Sequence, residues 1–269
     1  MKNTIGIYNE NAKLSYKIRN VIAPCLSGLD LYLKKIKADM PDLFPTIIDS
    51  LKEYYEKIEN YDVSLKPDYE ILNDYPDIIE GSKNHVLSLL NYNKYNPASI
   101  DDEIDVYALD LVRVFTHFEI FFTQTLLKIM SREEAIDYIK KVTDEVSLSR
   151  NDPNNYVDSF IESMDRFKNN LGRWQMQDSV VGPLDEERLL YKVKKCEWAE
   201  SLKGFDSGLC YAMLCYSDFQ GAKNLNPNFT LTRTKTLMMG DAYCDFCYHD
   251  TRKVKEITHP SEKEFQELE

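Results

Sequence analysis

NLNPNFTLTRTKTLMMGDAYCDFCYHD, residues 224–250, decides how the rest of the chain is read. From Phe229 to Leu237 the stretch alternates. Thr230, Thr232, Thr234 and Thr236 take one side; Phe229, Leu231, Arg233, Lys235 and Leu237 take the other. A period of two marks a half-buried strand, because successive side chains leave opposite faces. Gly240-Asp241 then supplies turn residues, and Ala242 to Tyr248 continues as aromatic-rich strand. The expectation is a hairpin with Arg233 on the apolar side. If that side is buried, the guanidinium needs a carboxylate, since breaking a buried ion pair costs on the order of 3–5 kcal/mol. Asp218, Asp241 or a substrate carboxylate would serve.

Upstream of the hairpin, residues 171–200 suggest strand, turn, strand, with Leu189, Tyr191 and Val193 alternating against Leu190, Lys192 and Lys194. Ser207-Gly208 precede a short helix, Leu209 to Gln220, ended by Gly221. Its apolar face (Leu209, Met213, Tyr216) is expected on the sheet. Further back the period is helical. Residues 12–39 read as one or two amphipathic helices that Pro24 should break or kink. Pro41 and Pro45 mark a connection, and Thr46 an N-cap for a helix from Ile47 to about Glu59. Residues 60–82, with Pro67, Pro76 and Gly81, read as a loop; a short helix follows from His85 to Leu90. Ser99 starts the longest apolar helix, about Ile104 to Met130. Ser131 and Glu134 form a capping box for the next, to about Val146. Asn151-Asp152-Pro153 is a break, and Tyr156 to Leu171 another helix. The predicted class is α+β: a helical part, 1–170, packed on a small antiparallel sheet with an inserted helix, 171–250. A charged tail or surface helix follows, 251–269; one continuous domain is also possible at this length.

The chain has 269 residues, 43% of them hydrophobic and 12% aromatic, which suffices for a sizeable core. Nine Gly and ten Pro favour helices over a loop-rich all-β fold. A net charge of −12 and the lack of a basic cluster argue against nucleic acid and against docking on anionic lipid. No stretch has the length of a membrane span or a signal peptide, so a cytoplasmic protein with reduced thiols is expected. A small molecule is the expected partner, with no cofactor and no metal; oligomeric state is not legible.

Five of the six cysteines fall between residues 196 and 247. Cys244-Asp-Phe-Cys247 is a CxxC, yet residues three apart on a strand face opposite ways, which argues against a shared metal. A cysteine nucleophile needs a base or a cation beside it. Cys215 with Asp218, at i and i+3 of one helix, and Cys244 with Asp245 are candidates, with Arg233 and Lys235 as nearby cations. Buried free cysteine is also an ordinary small core residue, and Cys210 and Cys247 are read as bystanders. The histidines form no HxH or HxxxH pair; His117 reads as a core residue, and His249 could reach a cleft. Cys196, Cys215, Asp218, Arg233, Asp241 and Cys244 are expected around one cavity between the sheet and the helical part.

These residues carry a resemblance. A strand ending in Cys196, a helical C-x-x-D (Cys215, Asp218), R-T-x-T-L (Arg233 to Leu237) and G-D-x-x-C-D-F (Gly240 to Phe246) resemble the pattern of the L-2-amino-thiazoline-4-carboxylic acid hydrolase family. The resemblance implies a hydrolase or lyase acting on a C–N or C–S bond of a cysteine-derived heterocycle. Cys215, Cys244 and Asp218 would be catalytic; Arg233, Thr234, Asp241, Cys196 and His249 would bind substrate. Either a cysteine attacks directly or Asp218 activates water, and Arg233 clamps the substrate carboxylate. The chain departs from the pattern at Cys247, where the family places Arg. Two other readings remain: a ligand-binding or sensory module on the same core, and a helical interaction protein whose cysteines are only core.

Overall fold

The structure is a computed structural model describing residues 4–63, 68–149 and 152–268. Pro67 and Asn151, read above as loop and break, lie outside the described residues. In chain order the elements are β1 (Thr4–Gly6), β2 (Lys13–Lys17), α1 (Arg19–Asp39), α2 (Phe44–Tyr55), α3 (Pro76–Leu89), α4 (Tyr92–Tyr95), β3 (Glu103–Tyr107), α5 (Ala108–Leu126) and α6 (Arg132–Ser149). There follow α7 (Phe160–Trp174), β4 (Gln177–Pro183), β5 (Arg188–Cys196), α8 (Glu197–Glu200), α9 (Ser207–Cys210), α10 (Ser217–Leu225), β6 (Phe229–Thr232), β7 (Cys244–Asp250) and α11 (Glu262–Gln266). The fold is α+β. It divides into two compact units: residues 13–142, and residues 1–12 with 143–269. The boundary expected at 170 falls inside α7.

The 13–142 unit is helical, with a two-stranded antiparallel ribbon of β2 and β3. That ribbon corrects two expectations. Lys13–Lys17 and Glu103–Tyr107 alternate polar and apolar residues, so each pairs as a strand before its helix begins. The long apolar helix therefore starts at Ala108, and Ser99 does not cap it. Helix α1 runs through Pro24 without ending. Pro45 sits in the first turn of α2, where a missing N–H costs nothing, so the helix starts before Thr46. Helix α3 begins at Pro76 for the same reason, ahead of the His85 start expected. A Cβ on Gly81 would lie 2.3 Å from Cβ of Tyr55, so glycine permits the close approach of α3 to α2. The Ser131–Glu134 capping box forms: Ser131 N–H donates to the Glu134 carboxylate at 2.9 Å, and Glu134 N–H donates to Ser131 Oγ at 3.3 Å.

The second unit is built on a five-stranded sheet in the order β1-β4-β5-β7-β6, every neighbouring pair antiparallel. Alternation assigns its two faces. Val181, Leu189, Tyr191, Val193, Leu231, Cys244, Phe246 and Tyr248 form the front core with Phe160 and Met164 of α7 and Ala222 of α10. Val180, Leu190 and Cys247 form the back, beneath Phe265 and Leu268. Strand β5 presents Leu189, Tyr191 and Val193 to the front and Leu190 to the back. The last residues are no loose tail: Phe265 is 1% exposed. Each large apolar side chain so buried contributes about 1.5–3 kcal/mol.

The hairpin is only partly as expected. Phe229 to Thr232 pairs with Cys247 to Asp250, but the strand stops at Thr232. Residues 233–243 form a hydrogen-bonded connection with a single 3₁₀ turn, Leu237–Met239, instead of continuing to a Gly-Asp turn. Polar groups of the motif capture the backbone here. Asp245 accepts from the N–H groups of Thr234 (2.8 Å) and Lys235 (2.7 Å), and Asp241 accepts from Thr236 N–H (2.7 Å). Gly240, at φ 94, closes the turn in a conformation that favours glycine. The inserted helix also differs. It starts as α9, passes through a π turn at Tyr211–Cys215, and resumes as α10 through Gly221 to Leu225.

Candidate active site

The π turn prepares the site. Tyr216 N–H reaches back to the Tyr211 carbonyl at 2.8 Å, and Phe219 N–H turns to the Tyr216 carbonyl at 3.2 Å. The Cys215 carbonyl accepts instead from Arg233 Nη2 at 2.9 Å. Such turns inside helices often mark functional positions. Arg233 Nη1 donates to Asp218 Oδ2 at 2.7 Å, which is the carboxylate partner its strand parity demanded. The guanidinium carbon lies 5.0–5.2 Å from the ring centres of Tyr211, Phe219 and Phe246. The Arg233 side chain is only 2% exposed. Its charge is thereby engaged within the protein, by Asp218 and by three ring faces.

Asp218 is different. Its side chain is half-buried, with 39% of its surface open. Its Oδ1 takes no hydrogen bond from the described residues. Burial pushes its carboxyl up to about 6, against the opposing pull of Arg233. Cys215 lies within electrostatic range of Asp218, Arg233, Cys196 and Cys244, and Arg233 bonds both the Cys215 carbonyl and Asp218. Cys244 is held by Leu237 N–H, which donates to its sulfur at 3.2 Å, and its own thiol faces Thr236 Oγ1 at 3.6 Å. Cys196 Sγ accepts from Gln177 Nε2 at 3.5 Å. Burial raises the thiols of Cys215 and Cys244, and takes that of Cys196 up to about 11. None is a ready thiolate at neutral pH.

Three expected site residues lie elsewhere. Thr234 and Asp241 hold the 233–243 connection, Thr234 by donating its hydroxyl to Asp245 at 2.5 Å. His249 faces the back, because it alternates with Tyr248 on β7. Asp245 likewise points away from its neighbour Cys244, and Cys247 from Cys244 across the sheet. The family's Arg at position 247 would therefore face the back. On that side Thr232 Oγ1 lies 2.8 Å from His249 Nε2 and 2.9 Å from His259 Nδ1, and His259 Nε2 lies 3.0 Å from Asp245 Oδ2. With His259 neutral, His259 donates to Asp245, Thr232 to His259 and His249 to Thr232. His249 Nδ1 remains without a partner among the described residues. Burial drives His249 down to about 4.

Beside Cys196, on the front, lies a cavity of about 280 Å³. Its walls include Phe167, Trp174, Tyr191 and Trp198, with the amides of Asn170 and Gln177. Tyr191 OH donates to Gln177 Oε1, and Gln177 Nε2 reaches Cys196 Sγ, so the inner wall of the cavity is tied to that thiol. Sequence reading missed this wall. Trp174 and Trp198 are 24 positions apart on different helices, and no spacing rule joins them.

The family model of L-2-amino-thiazoline-4-carboxylic acid hydrolase matches residues 113–248. The chain belongs to that family. Searches of curated proteins and of solved structures found no match. Membership supports a hydrolase-like function. Among the described residues no helix is long and apolar enough to cross a membrane, and no group of three metal-ligating side chains occurs.

Proposed function

We propose that the front face of the sheet opens a small thiazoline-type cyclic amidine by hydrolysis, with Asp218 activating the water. The observation carrying this reading is the carboxyl raised to about 6, open on one side and fixed by Arg233 on the other. A base that titrates near the working pH combines a large ionised fraction with a strong pull on the proton. Water gives a proton to Asp218 Oδ1 as its oxygen bonds to the amidine carbon, and the C=N electron pair moves onto the ring nitrogen, which takes that proton from Asp218. The adduct's hydroxyl then returns a proton to Asp218 as C=O forms and the C–S bond breaks, and Asp218 passes it to the departing sulfur. The product is a ureido thiol. Direct attack by Cys215 or Cys244 is disfavoured, because both thiols are held protonated by burial. The six cysteines are all free, which supports a reducing compartment such as the cytoplasm.

Thiol release from thiazoline compounds, with intact-mass detection of protein adducts, tests the reading. We expect turnover without an adduct, and kcat/KM that falls tenfold per pH unit below about 6, where Asp218 becomes protonated. Cys215→Ala and Cys244→Ala keep more than a tenth of the activity. A covalent adduct lost in either variant would replace Asp218-activated water by a thiol mechanism.

A further inference from the structure

The family's named substrate carries a carboxylate, and Arg233 was the expected anchor for it. The geometry leaves that anchor unavailable. Arg233 is 2% exposed and already donates to Asp218 and to the Cys215 carbonyl. The departure at Cys247 does not change this, since position 247 faces the back of the sheet, under Phe265. The cavity beside the cluster has no charged side chain among its lining residues. It offers ring faces: Trp174 and Trp198 with centres 5.9 Å apart, and Phe167 against Tyr191 at 5.3 Å. Asn170 adds an amide at the rim. Gln177 is committed to Tyr191 and Cys196 and so fixes the inner wall. Aromatic faces attract flat rings and cations and give a carboxylate nothing to bond to. A substrate carboxylate would meet no cationic side chain on this lining.

We infer that the Trp174–Trp198 cavity binds planar amidine heterocycles, cationic or neutral, that lack a carboxylate, and that these are the substrate class of this family member. The link to turnover rests on the hydrolase reading above; the binding does not. The chain has two tryptophans, and both line this cavity, so intrinsic fluorescence reports on it directly. Titration with 2-aminothiazoline should quench or shift the emission at least tenfold more tightly than titration with 2-aminothiazoline-4-carboxylate. Calorimetry should show Trp198→Ala weakening 2-aminothiazoline by at least tenfold, and Trp174→Phe, which keeps an aromatic face, by less. The inference is overturned if the carboxylate compound binds more tightly, if neither perturbs the tryptophans, or if both variants bind like the parent protein. Thiol release measured in parallel separates the two claims. Turnover without a tryptophan response overturns the cavity assignment alone. A response to 2-aminothiazoline without turnover supports the cavity and removes the hydrolase reading.

Discussion

The two faces of the five-stranded sheet are made from alternate residues of the same strands, yet their polar groups are treated differently. On the back, Asp245 takes hydrogen bonds from two backbone N–H groups, from Thr234 Oγ1 and from His259, and it is 2% exposed. Its neighbours Thr232 and His249 complete the chain, and α11 covers it with Phe265. On the front, Asp218 has one ion-pair partner, one oxygen without a hydrogen bond from the described residues, and 39% of its side chain open. A carboxylate saturated with donors is held below its usual value, as Asp245 is despite burial. The half-open carboxylate of Asp218, with one ion-pair partner, is raised to about 6. Strand parity turns Asp245 away from its neighbour Cys244 to the back, whereas Asp218 comes from α10.

The largest expected effect tests the scaffold. Phe265→Ala removes the ring that closes the back face and should cost about 3–5 kcal/mol in denaturant unfolding. A loss under 1 kcal/mol would mean that the C-terminal helix is not needed to close the sheet.

A smaller effect, confined to acid, sharpens the same contrast. His249 is neutral and buried, with its protonation pushed down to about 4 in the folded state. The unfolded chain therefore binds the proton first. Stability from this group is complete above about pH 6.5 and is lost as pH falls towards 4, amounting to about 2 kcal/mol at pH 5. His249→Gln should flatten that part of the pH dependence. His85, in the helical unit, is also pushed down to about 4 by burial and will keep its own share. An unchanged slope in the variant would place the acid sensitivity outside the back-face chain.

Much of this was legible from sequence, for identifiable reasons. The class, the β4–β5 pair and the burial of Arg233 with a carboxylate followed from period-two alternation over Leu189–Val193 and Phe229–Arg233. Cys244 and Cys196 pack in the front core, and Asp218 meets Arg233 beside it. What failed was local. Thr234 and Asp241 read as substrate ligands because side chains near a motif are easily assigned to chemistry; both spend their polar atoms on the backbone of the 233–243 connection. The ribbon of β2 and β3 was hidden because five-residue alternations sit directly against strong helix patterns. His259 and the two tryptophans were invisible, since only tertiary packing brings them to the sheet, and Gln177 was passed over although it begins β4 opposite Cys196.

The most direct test compares the two carboxylates in one assay. Asp218→Asn and Asp245→Asn are each measured for kcat on 2-aminothiazoline at a temperature where both variants are folded. Asp218→Asn should lower kcat by about 10²–10⁴ with the fold retained, the range expected for loss of a general base. Asp245→Asn should cost about 1–3 kcal/mol of stability through its unsatisfied donors and keep kcat within tenfold. Equal loss of kcat in the two variants, or a greater loss in Asp245→Asn, would contradict the assignment of chemistry to the front face and scaffold to the back.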